Sequence, residues 1–191
     1  MNIGNHLREL DIVKNAAPLI SAVLQLSEDT WLQDQSRQTN YHVHSQTQSL
    51  VLLFCEGEWP DMQVEKRSAW DHLGNQAIPV MREILDRHYN RGGVILRAMA
   101  AKLIPHGTIE QHTDNHPSFA CAHRIHVPII TNPDAIFLVG GKQVTMDVGK
   151  GYEINNQMPH RVHNGGDTDR IHFIFDYLPP DNIEKMPEGL N

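Results

Sequence analysis

The sequence lacks the features of a disulfide scaffold, a cysteine zinc site or a membrane protein. Only two cysteines occur among its 191 residues, Cys55 and Cys121, and they form no Cys-x-x-Cys pair. This scarcity excludes a disulfide framework and predicts two buried thiols. No segment approaches the roughly 18 consecutive apolar residues that a membrane-spanning helix needs, so we expect no membrane partner.

Positive charge is also scarce. The formal net charge is -7, and the lysines and arginines are scattered along the chain. Affinity for nucleic acid depends largely on basic side chains that neutralise phosphates, so we expect no nucleic-acid partner. The first ten residues carry neither a basic leader with an apolar run nor a small-residue cleavage site. We therefore expect a cytoplasmic protein.

A chain of 191 residues is long enough for one well-formed core and too short for two comfortable domains. We expect a single domain over residues 1–191. Within it, residues 1–93 would be helical and extended support, residues 94–178 a β core, and residues 179–191 a loosely held tail.

Two helices are predicted in the N-terminal half. Apolar residues recur at helical spacing from Leu7 to Leu26, where Pro18 allows either one kinked helix or two short ones. A second helix is predicted from Asn75 to Tyr89, before the breaker sequence Asn-Arg-Gly-Gly. The intervening segment from Tyr41 to Phe54 has the pattern of an extended strand.

After residue 93 the chain becomes a series of short strand-like runs separated by glycine, asparagine, aspartate and proline. This frequency of turns is typical of an antiparallel sandwich or barrel, with the helices covering one outer face of a sheet. The predicted strands are Val94–Ile104, Thr108–His112, His123–Ile130, Ala135–Val139, Gln143–Val148, Gly151–Ile154, His160–Asn164 and Arg170–Leu178.

Three residues in this region are candidate metal ligands. His112 and Asp114 are two positions apart, so an extended backbone directs both side chains to one face. The pair alone is weak evidence, because Asp114 also suits a turn before Pro117. His160 opens a later strand that can lie beside the first in a jelly roll. Two histidines and one carboxylate leave coordination positions open, as non-haem iron chemistry requires.

Cationic side chains accompany these candidate ligands. In the last strand, Arg170 alternates with apolar residues and falls on the face opposite Phe173 and Phe175. An arginine facing a barrel interior needs an anionic partner, such as a dicarboxylate cosubstrate. The alternative is an exposed arginine paired with a nearby aspartate, Asp167 or Asp169. Arg124 and His126 repeat the arrangement on an earlier strand, which we expect to neighbour the His-x-Asp strand.

Taken in order, these motifs resemble the aspartyl/asparaginyl beta-hydroxylase family of iron(II)- and 2-oxoglutarate-dependent dioxygenases. The resemblance covers residues 94–178, about half the chain. The segments that carry it are Gly107-Thr-Ile-x-x-His112-x-Asp114, Arg124-Ile-His126-Val-Pro, Phe137-x-Val-Gly-Gly, Gly151-x-x-x-x-Asn155-Asn156, His160-x-Val-x-Asn164, and Arg170 with Phe175-Asp176.

The resemblance implies a double-stranded beta-helix, the cupin-like jelly roll, mainly β with flanking α. It also implies iron(II) ligation by His112 and His160, and binding of the distal carboxylate of 2-oxoglutarate by Arg170. Arg124 and His126 fall where the family holds the cosubstrate. Vertebrate members have glycine where this chain has Asp114. The set of two histidines and one carboxylate is therefore complete in this chain, and the substrate of the vertebrate members is a weaker guide to its substrate.

The reaction that this resemblance implies is hydroxylation of an unactivated carbon with dioxygen. We expect a soluble substrate, first a free amino acid or related small molecule, and second an Asp- or Asn-type side chain of a peptide or protein. A substrate carboxylate would be met by an arginine such as Arg91 or Arg97. Asn40–His44 and the segment from Trp59 to Trp70 could shape the pocket, although core packing suits both tryptophans.

Two alternatives use the same residues. One is a non-catalytic cupin-like module that binds metal and 2-oxoglutarate. The other is a hydrolytic zinc site, since two histidines and a carboxylate also suit zinc with a bound water. The cationic residues Arg124 and Arg170 argue against the zinc site, and turnover of 2-oxoglutarate to succinate separates an oxygenase from both.

Overall fold

The computed structural model describes residues 1–34, residue 39 and residues 45–183. Over these ranges the strands are β1 Leu7–Ile12, β2 Thr47–Glu56, β3 Gln63–Lys66, β4 Val94–Leu103, β5 Thr108–His112, β6 His123–Ile130, β7 Ala135–Val139, β8 Lys142–Val144, β9 Lys150–Ile154, β10 His160–Asn164 and β11 Arg170–Leu178. The helices are α1 Ala16–Leu24, α2 Glu28–Trp31, α3 Trp70–His88, α4 Pro117–Cys121 and α5 Pro180–Ile183.

The strands form two antiparallel sheets. In the larger sheet the order is β1-β9-β6-β11-β4-β2-β3, and in the smaller it is β5-β10-β7-β8. Neighbours in each sheet are often far apart in sequence, as in a jelly roll, and the predicted mainly β, double-stranded beta-helix fold is confirmed. The prediction that β10 lies beside β5 is confirmed as well.

Each face of the large sheet has its own apolar core. On the outer face, alternate residues of β11, including Phe173 and Phe175, pack against α1 and α3. The side of α3 facing the sheet carries Leu73, Ala77, Val80 and Ile84, all at most 2% exposed. Burial of each leucine- or isoleucine-sized side chain contributes roughly 2 kcal/mol. The inner face packs on the small sheet through Leu103, Phe137, Val139, Tyr152, Ile154 and Val162.

The N-terminal prediction is partly wrong. Residues 7–12 form strand β1, which pairs with β9 at the edge of the large sheet, and helix α1 begins only at Ala16. Backbone pairing with β9 overrides the helical spacing of the apolar residues. Pro18 lies in the first turn of α1, where its missing N–H is not needed by the helix.

The other predicted element boundaries differ less from those of the structure. Helix α3 begins five residues earlier than predicted, at Trp70, and β8 is shorter than its predicted segment. Residues 40–44, including the first part of the predicted Tyr41–Phe54 strand, lie outside the described residues. In the predicted tail, Pro180–Ile183 forms one helical turn and the remainder lies outside the described residues. Within the described ranges, no helix is long and apolar enough to cross a membrane.

Candidate metal and cosubstrate site

The two histidines of the candidate metal site face each other across neighbouring strands. His112 at the end of β5 is the register partner of His160 at the start of β10, and their ring centroids lie 4.3 Å apart. Residues directly opposite on antiparallel strands carry side chains on the same face. Strand pairing therefore brings together two residues that are 48 positions apart in sequence.

Backbone carbonyls orient both imidazole rings. Nδ1 of His112 lies 2.8 Å from the carbonyl oxygen of Glu110, and Nδ1 of His160 lies 2.9 Å from that of Met158. A carbonyl only accepts, so each Nδ1 carries the hydrogen and each Nε2 carries the lone pair. This is the tautomer that a histidine uses to bind a metal through Nε2.

Asp114 completes the group. It follows the end of β5, and its Oδ2 lies 4.0 Å from Nε2 of His160. One ligand atom from each of His112, Asp114 and His160 lies within 4.8 Å of the others. This spacing allows one ion to be reached by all three side chains. Two imidazoles and one carboxylate on one side of the ion suit iron(II), so the residues present fit the predicted metal.

Asp176 sits between two arginines on neighbouring strands. It is the register partner of Arg97 on β4 and of Arg124 on β6. Nε and Nη2 of Arg124 donate to its two carboxylate oxygens at 2.8 and 3.0 Å, and Nη1 of Arg97 lies 3.5 Å away. Burial alone would raise the pKa of Asp176, but the two arginines hold it below its usual value.

Arg124 also donates to Asp114 through Nη1. Its strand belongs to the large sheet and β5 to the small one, so the prediction that these strands are neighbours is wrong. The guanidinium reaches Asp114 across the space between the sheets. Burial lowers the pKa of Arg124, but Asp114 and Asp176 more than reverse this and raise it. Arg124 thereby ties a candidate metal ligand to the central strand of the large sheet.

Arg170 is a buried cation without a carboxylate partner in the described part of the chain. It is 5% exposed, its Nη2 donates to Nδ1 of His172 at 3.1 Å, and its guanidinium lies 5.3 Å from the ring of Phe137. Burial lowers the pKa of Arg170 to about 9. The alternative partners pair elsewhere, Asp167 with His106 and Asp169 with Lys102, so the exposed-arginine interpretation is wrong.

His126 faces the same space as Arg170. Its Nε2 is buried and has no hydrogen-bond partner among the described residues. The pKa of His126 lies well below its usual value, mainly because the ring is buried and to a smaller extent because the positive charges of Arg170 and Arg124 are near. The cavity that both side chains line extends to His112 and His160 and has a volume of about 60 Å³. Arg170 and His126 therefore present polar groups to a pocket that adjoins the candidate metal ligands.

A larger cavity of about 570 Å³ is also lined by His112, together with Asp114. Arg97 lines it, as the sequence allowed, whereas Arg91 lies after α3 with its side chain 81% exposed and paired with Asp86. The predicted core packing of Trp59 and Trp70 is confirmed. The candidate pocket segment Asn40–His44 lies outside the described residues.

Some residues of the site carried no clear sequence signal. His116, Ser118 and Phe119 lie at or within α4, a short helix after Asp114 that has no apolar period. His172 and Asp176 were placed on the correct face by the alternation of β11, although only the structure shows what they contact. Cys55 and Cys121 are both buried, as predicted.

Comparison with known proteins agrees with this geometry. A family model described as aspartyl/asparaginyl beta-hydroxylase matches residues 20–180. The match extends well upstream of residue 94, where the recognisable motifs begin. No curated protein sequence matches the chain.

Solved structures share the fold at low sequence identity. An oxidoreductase of the 2OG-Fe(II) oxygenase family from Burkholderia pseudomallei is 12% identical, with a TM-score of 0.62 and coverage of 91% of this chain and 84% of that one. HygX from Streptomyces hygroscopicus, solved with nickel and 2-oxoglutarate bound, is 13% identical, with a TM-score of 0.57 and coverage of 92% and 83%. The viral collagen prolyl hydroxylase vCPH from Paramecium Bursaria Chlorella virus-1, in a 2OG complex, is 8% identical, with a TM-score of 0.51 and coverage of 92% and 97%.

Proposed function

Because the chain belongs to the aspartyl/asparaginyl beta-hydroxylase family, we propose that it hydroxylates an unactivated carbon of a small soluble substrate at the site between its two sheets. It is an iron(II)- and 2-oxoglutarate-dependent oxygenase, as the sequence predicted. The observation that carries the proposal is a buried arginine without a carboxylate partner among the described residues, close to three convergent metal ligands.

His112, Asp114 and His160 are the proposed iron ligands. When bound, iron(II) supplies activation of dioxygen, coupled to oxidation of 2-oxoglutarate to succinate and carbon dioxide. The carbonyls of Glu110 and Met158 fix the histidine tautomers, so both Nε2 atoms offer lone pairs without rearrangement. Arg124 donates to Oδ2 of Asp114. The carboxylate has a second oxygen, so it could bind the metal and keep its contact with Arg124.

Arg170 is the proposed partner of the distal carboxylate of 2-oxoglutarate. A planar guanidinium can donate two parallel hydrogen bonds to a carboxylate, and the low polarity around Phe137 strengthens them. His126 offers Nε2 to the same pocket. Arg124 was also predicted to hold the cosubstrate. Its contacts with Asp114 and Asp176 support a positioning role for it in addition.

The proposed substrate is a free amino acid or related small molecule, with an Asp- or Asn-type side chain of a peptide as the second choice. The cavity beside His112 and Asp114 has a volume within the range of about 300–1,000 Å³ that small-molecule sites occupy. A cytoplasmic location and the absence of a nucleic-acid partner stay predictions from the sequence.

Succinate formation tests the proposal. The protein is reconstituted with iron(II) without oxygen, then given 2-oxoglutarate, air and a pool of amino acids and short peptides. We expect iron-dependent succinate that is lost in His160→Ala and in His112→Ala, whereas His163→Ala, on the exposed side of the same strand, retains it. Wild-type activity in His160→Ala would refute the ligand assignment. Iron and 2-oxoglutarate binding without succinate would instead favour the non-catalytic module.

The role of Asp114 has its own variant. Asp114→Gly creates the residue that vertebrate members of the family have at this position. We expect weaker iron binding, because one charged ligand is lost, measured by metal titration of the apo protein. Unchanged affinity would show that the two histidines suffice.

A further inference from the structure

The larger cavity beside the metal ligands is lined by both apolar and polar side chains. Phe54, Met62, Met99 and Phe119 give it an apolar surface, and Arg97 and His116 line it with polar groups. His112 and Asp114 also line it, so a molecule in this cavity lies against the proposed iron ligands. This cavity is separate from the small pocket of Arg170, although Arg124 and His112 border both.

Arg97 has more N–H donors than it has hydrogen bonds to the described residues. The side chain is buried, 5% exposed, and packs against the rings of Phe119 and Phe54 at 4.4 and 5.6 Å. A guanidinium has five N–H donors. Within the described residues Arg97 makes one hydrogen bond, from Nη1 to Oγ of Ser118 at 3.0 Å, and its contact with Asp176 is 3.5 Å long. Asp176 is already satisfied by two shorter bonds from Arg124.

His116 presents a second donor. Its Nδ1 lies 2.8 Å from Oγ of Ser118 and accepts from the backbone N–H of Ser118 at 3.3 Å. That oxygen already accepts from Arg97, so its own hydrogen is directed to Nδ1. The hydrogen of a neutral His116 ring then resides on Nε2. Ser118 thus holds Arg97 and His116 close together as two donors that line the cavity.

The charge around the cavity favours an anion. Asp114 is the only acidic side chain among the lining residues, and it contacts Arg124. A buried arginine with unused donors gains most from a carboxylate, because charge-assisted hydrogen bonds strengthen where water is excluded.

We propose that the substrate carries a carboxylate that binds Arg97 and His116, attached to an apolar segment that packs on Phe54, Met99 and Phe119. The hydrocarbon portion then lies beside His112 and Asp114, where hydroxylation would occur. The inference rests on the proposed function and narrows it to one substrate class.

Binding of matched acids and amides tests the inference independently of turnover. The protein is loaded with nickel(II) and 2-oxoglutarate, and calorimetry first verifies that both bind. Straight-chain acids from butanoate to decanoate are then titrated, each beside its primary amide. The pair has the same shape and differs in charge. We expect at least one acid to bind roughly tenfold or more tightly than its amide.

Variants test which residues cause the preference for the acid over its amide. Arg97→Met should abolish it, Arg97→Lys should retain part of it because the charge remains, and His116→Phe should reduce it. Arg91→Met is the matched control, since Arg91 is exposed and lies outside the cavity. It should behave as wild type. All variants are compared at equal nickel and 2-oxoglutarate occupancy.

The outcomes separate the substrate class from the proposed function. Three results would overturn the inference: equal affinity for acid and amide, no binding of any acid, or a preference for the acid that survives in Arg97→Met. In each case the proposed function would still stand, provided that nickel and 2-oxoglutarate bind. If Arg97→Met does not fold, Arg97→Lys and His116→Phe decide, and an undiminished preference in both would refute it. Failure of the wild-type protein to bind 2-oxoglutarate would count against the proposed function itself.

Discussion

Glu153 and Arg170 are both buried charges in the large sheet, but they lie on opposite faces of it. Glu153, on the face towards α3, accepts from Tyr89 Oη at 2.9 Å and from His123, and Arg8 lies 3.4 Å away. Arg170, on the face towards the small sheet, donates to His172 and lies over the ring of Phe137, and it has no carboxylate partner among the described residues.

The two residues differ in whether the fold compensates the buried charge. Burying a charge costs several kcal/mol unless a partner compensates it. Glu153 is compensated by other parts of the fold, so its role is structural. Arg170 lacks a carboxylate partner among the described residues, and we propose that a ligand supplies one. Between Glu153 and Arg170, the partner that is present or missing distinguishes the two buried charges, and burial does not.

Removing a ring from the helix-facing side should have the largest effect on stability. Phe173 is fully buried between β11 and the helices, so Phe173→Ala should lower the free energy of unfolding by about 3–5 kcal/mol. Urea denaturation measures the change, with Val148→Ala, at a site 49% exposed, as the control. A loss below about 1 kcal/mol would contradict the division between the two faces.

Asp176 sharpens the comparison because it is a compensated charge on the barrel-facing side. Asp176→Asn leaves Arg124 and Arg97 without their shared carboxylate and should cost about 3 kcal/mol of stability. Asp167→Asn, where the side chain is 95% exposed, is the matched control and should change little. Equal stability of the two variants in urea would show that the Asp176 cluster is not structural.

We expect Glu153 to make a smaller contribution to stability, and one that depends on pH. Burial would raise the pKa of Glu153, but hydrogen bonds and charge from His123, Tyr89 and Arg8 hold it below its usual value of 4.5. A lowered folded-state pKa stabilises the protein above pH 4.5, and this contribution is lost as pH falls through the folded-state value.

Glu153→Gln should therefore cost about 1–2 kcal/mol at neutral pH and show a weaker fall in stability on acidification than wild type. Urea midpoints between pH 3 and pH 7 measure both. Glu9→Gln, at an exposed pair with Lys150, serves as the comparison and should keep the wild-type pH profile. A steeper acid loss in Glu153→Gln than in wild type would reverse the expected sign.

The sequence predicts the β core and its candidate ligands well because alternation and turns are local signals. Arg170, His172 and Asp176 fall on one face of β11 from period alone, and Phe173 falls on the other. The His-x-Asp spacing likewise places two candidate ligands near each other, because residues two apart on an extended segment share a face.

What the sequence does not predict depends on contacts between distant segments. Residues 7–12 have helical spacing but form a strand, because β9 offers a partner more than 130 positions away. The same limit hides the contact of Arg124 with Asp114 from the opposite sheet and the Ser118 link between Arg97 and His116. Side-chain networks of this kind have no sequence period.

The most direct measurement of the central claim is a parallel titration of wild type and Arg170→Met with 2-oxoglutarate, together with urea denaturation of both metal-loaded proteins without it. Arg91→Met is the control for both. We predict that Arg170→Met binds 2-oxoglutarate roughly a hundredfold more weakly. Its free energy of unfolding should be unchanged or higher, because a buried charge without a carboxylate partner has been removed. Wild-type affinity for 2-oxoglutarate, or a loss of stability like that of Phe173→Ala, would contradict the account.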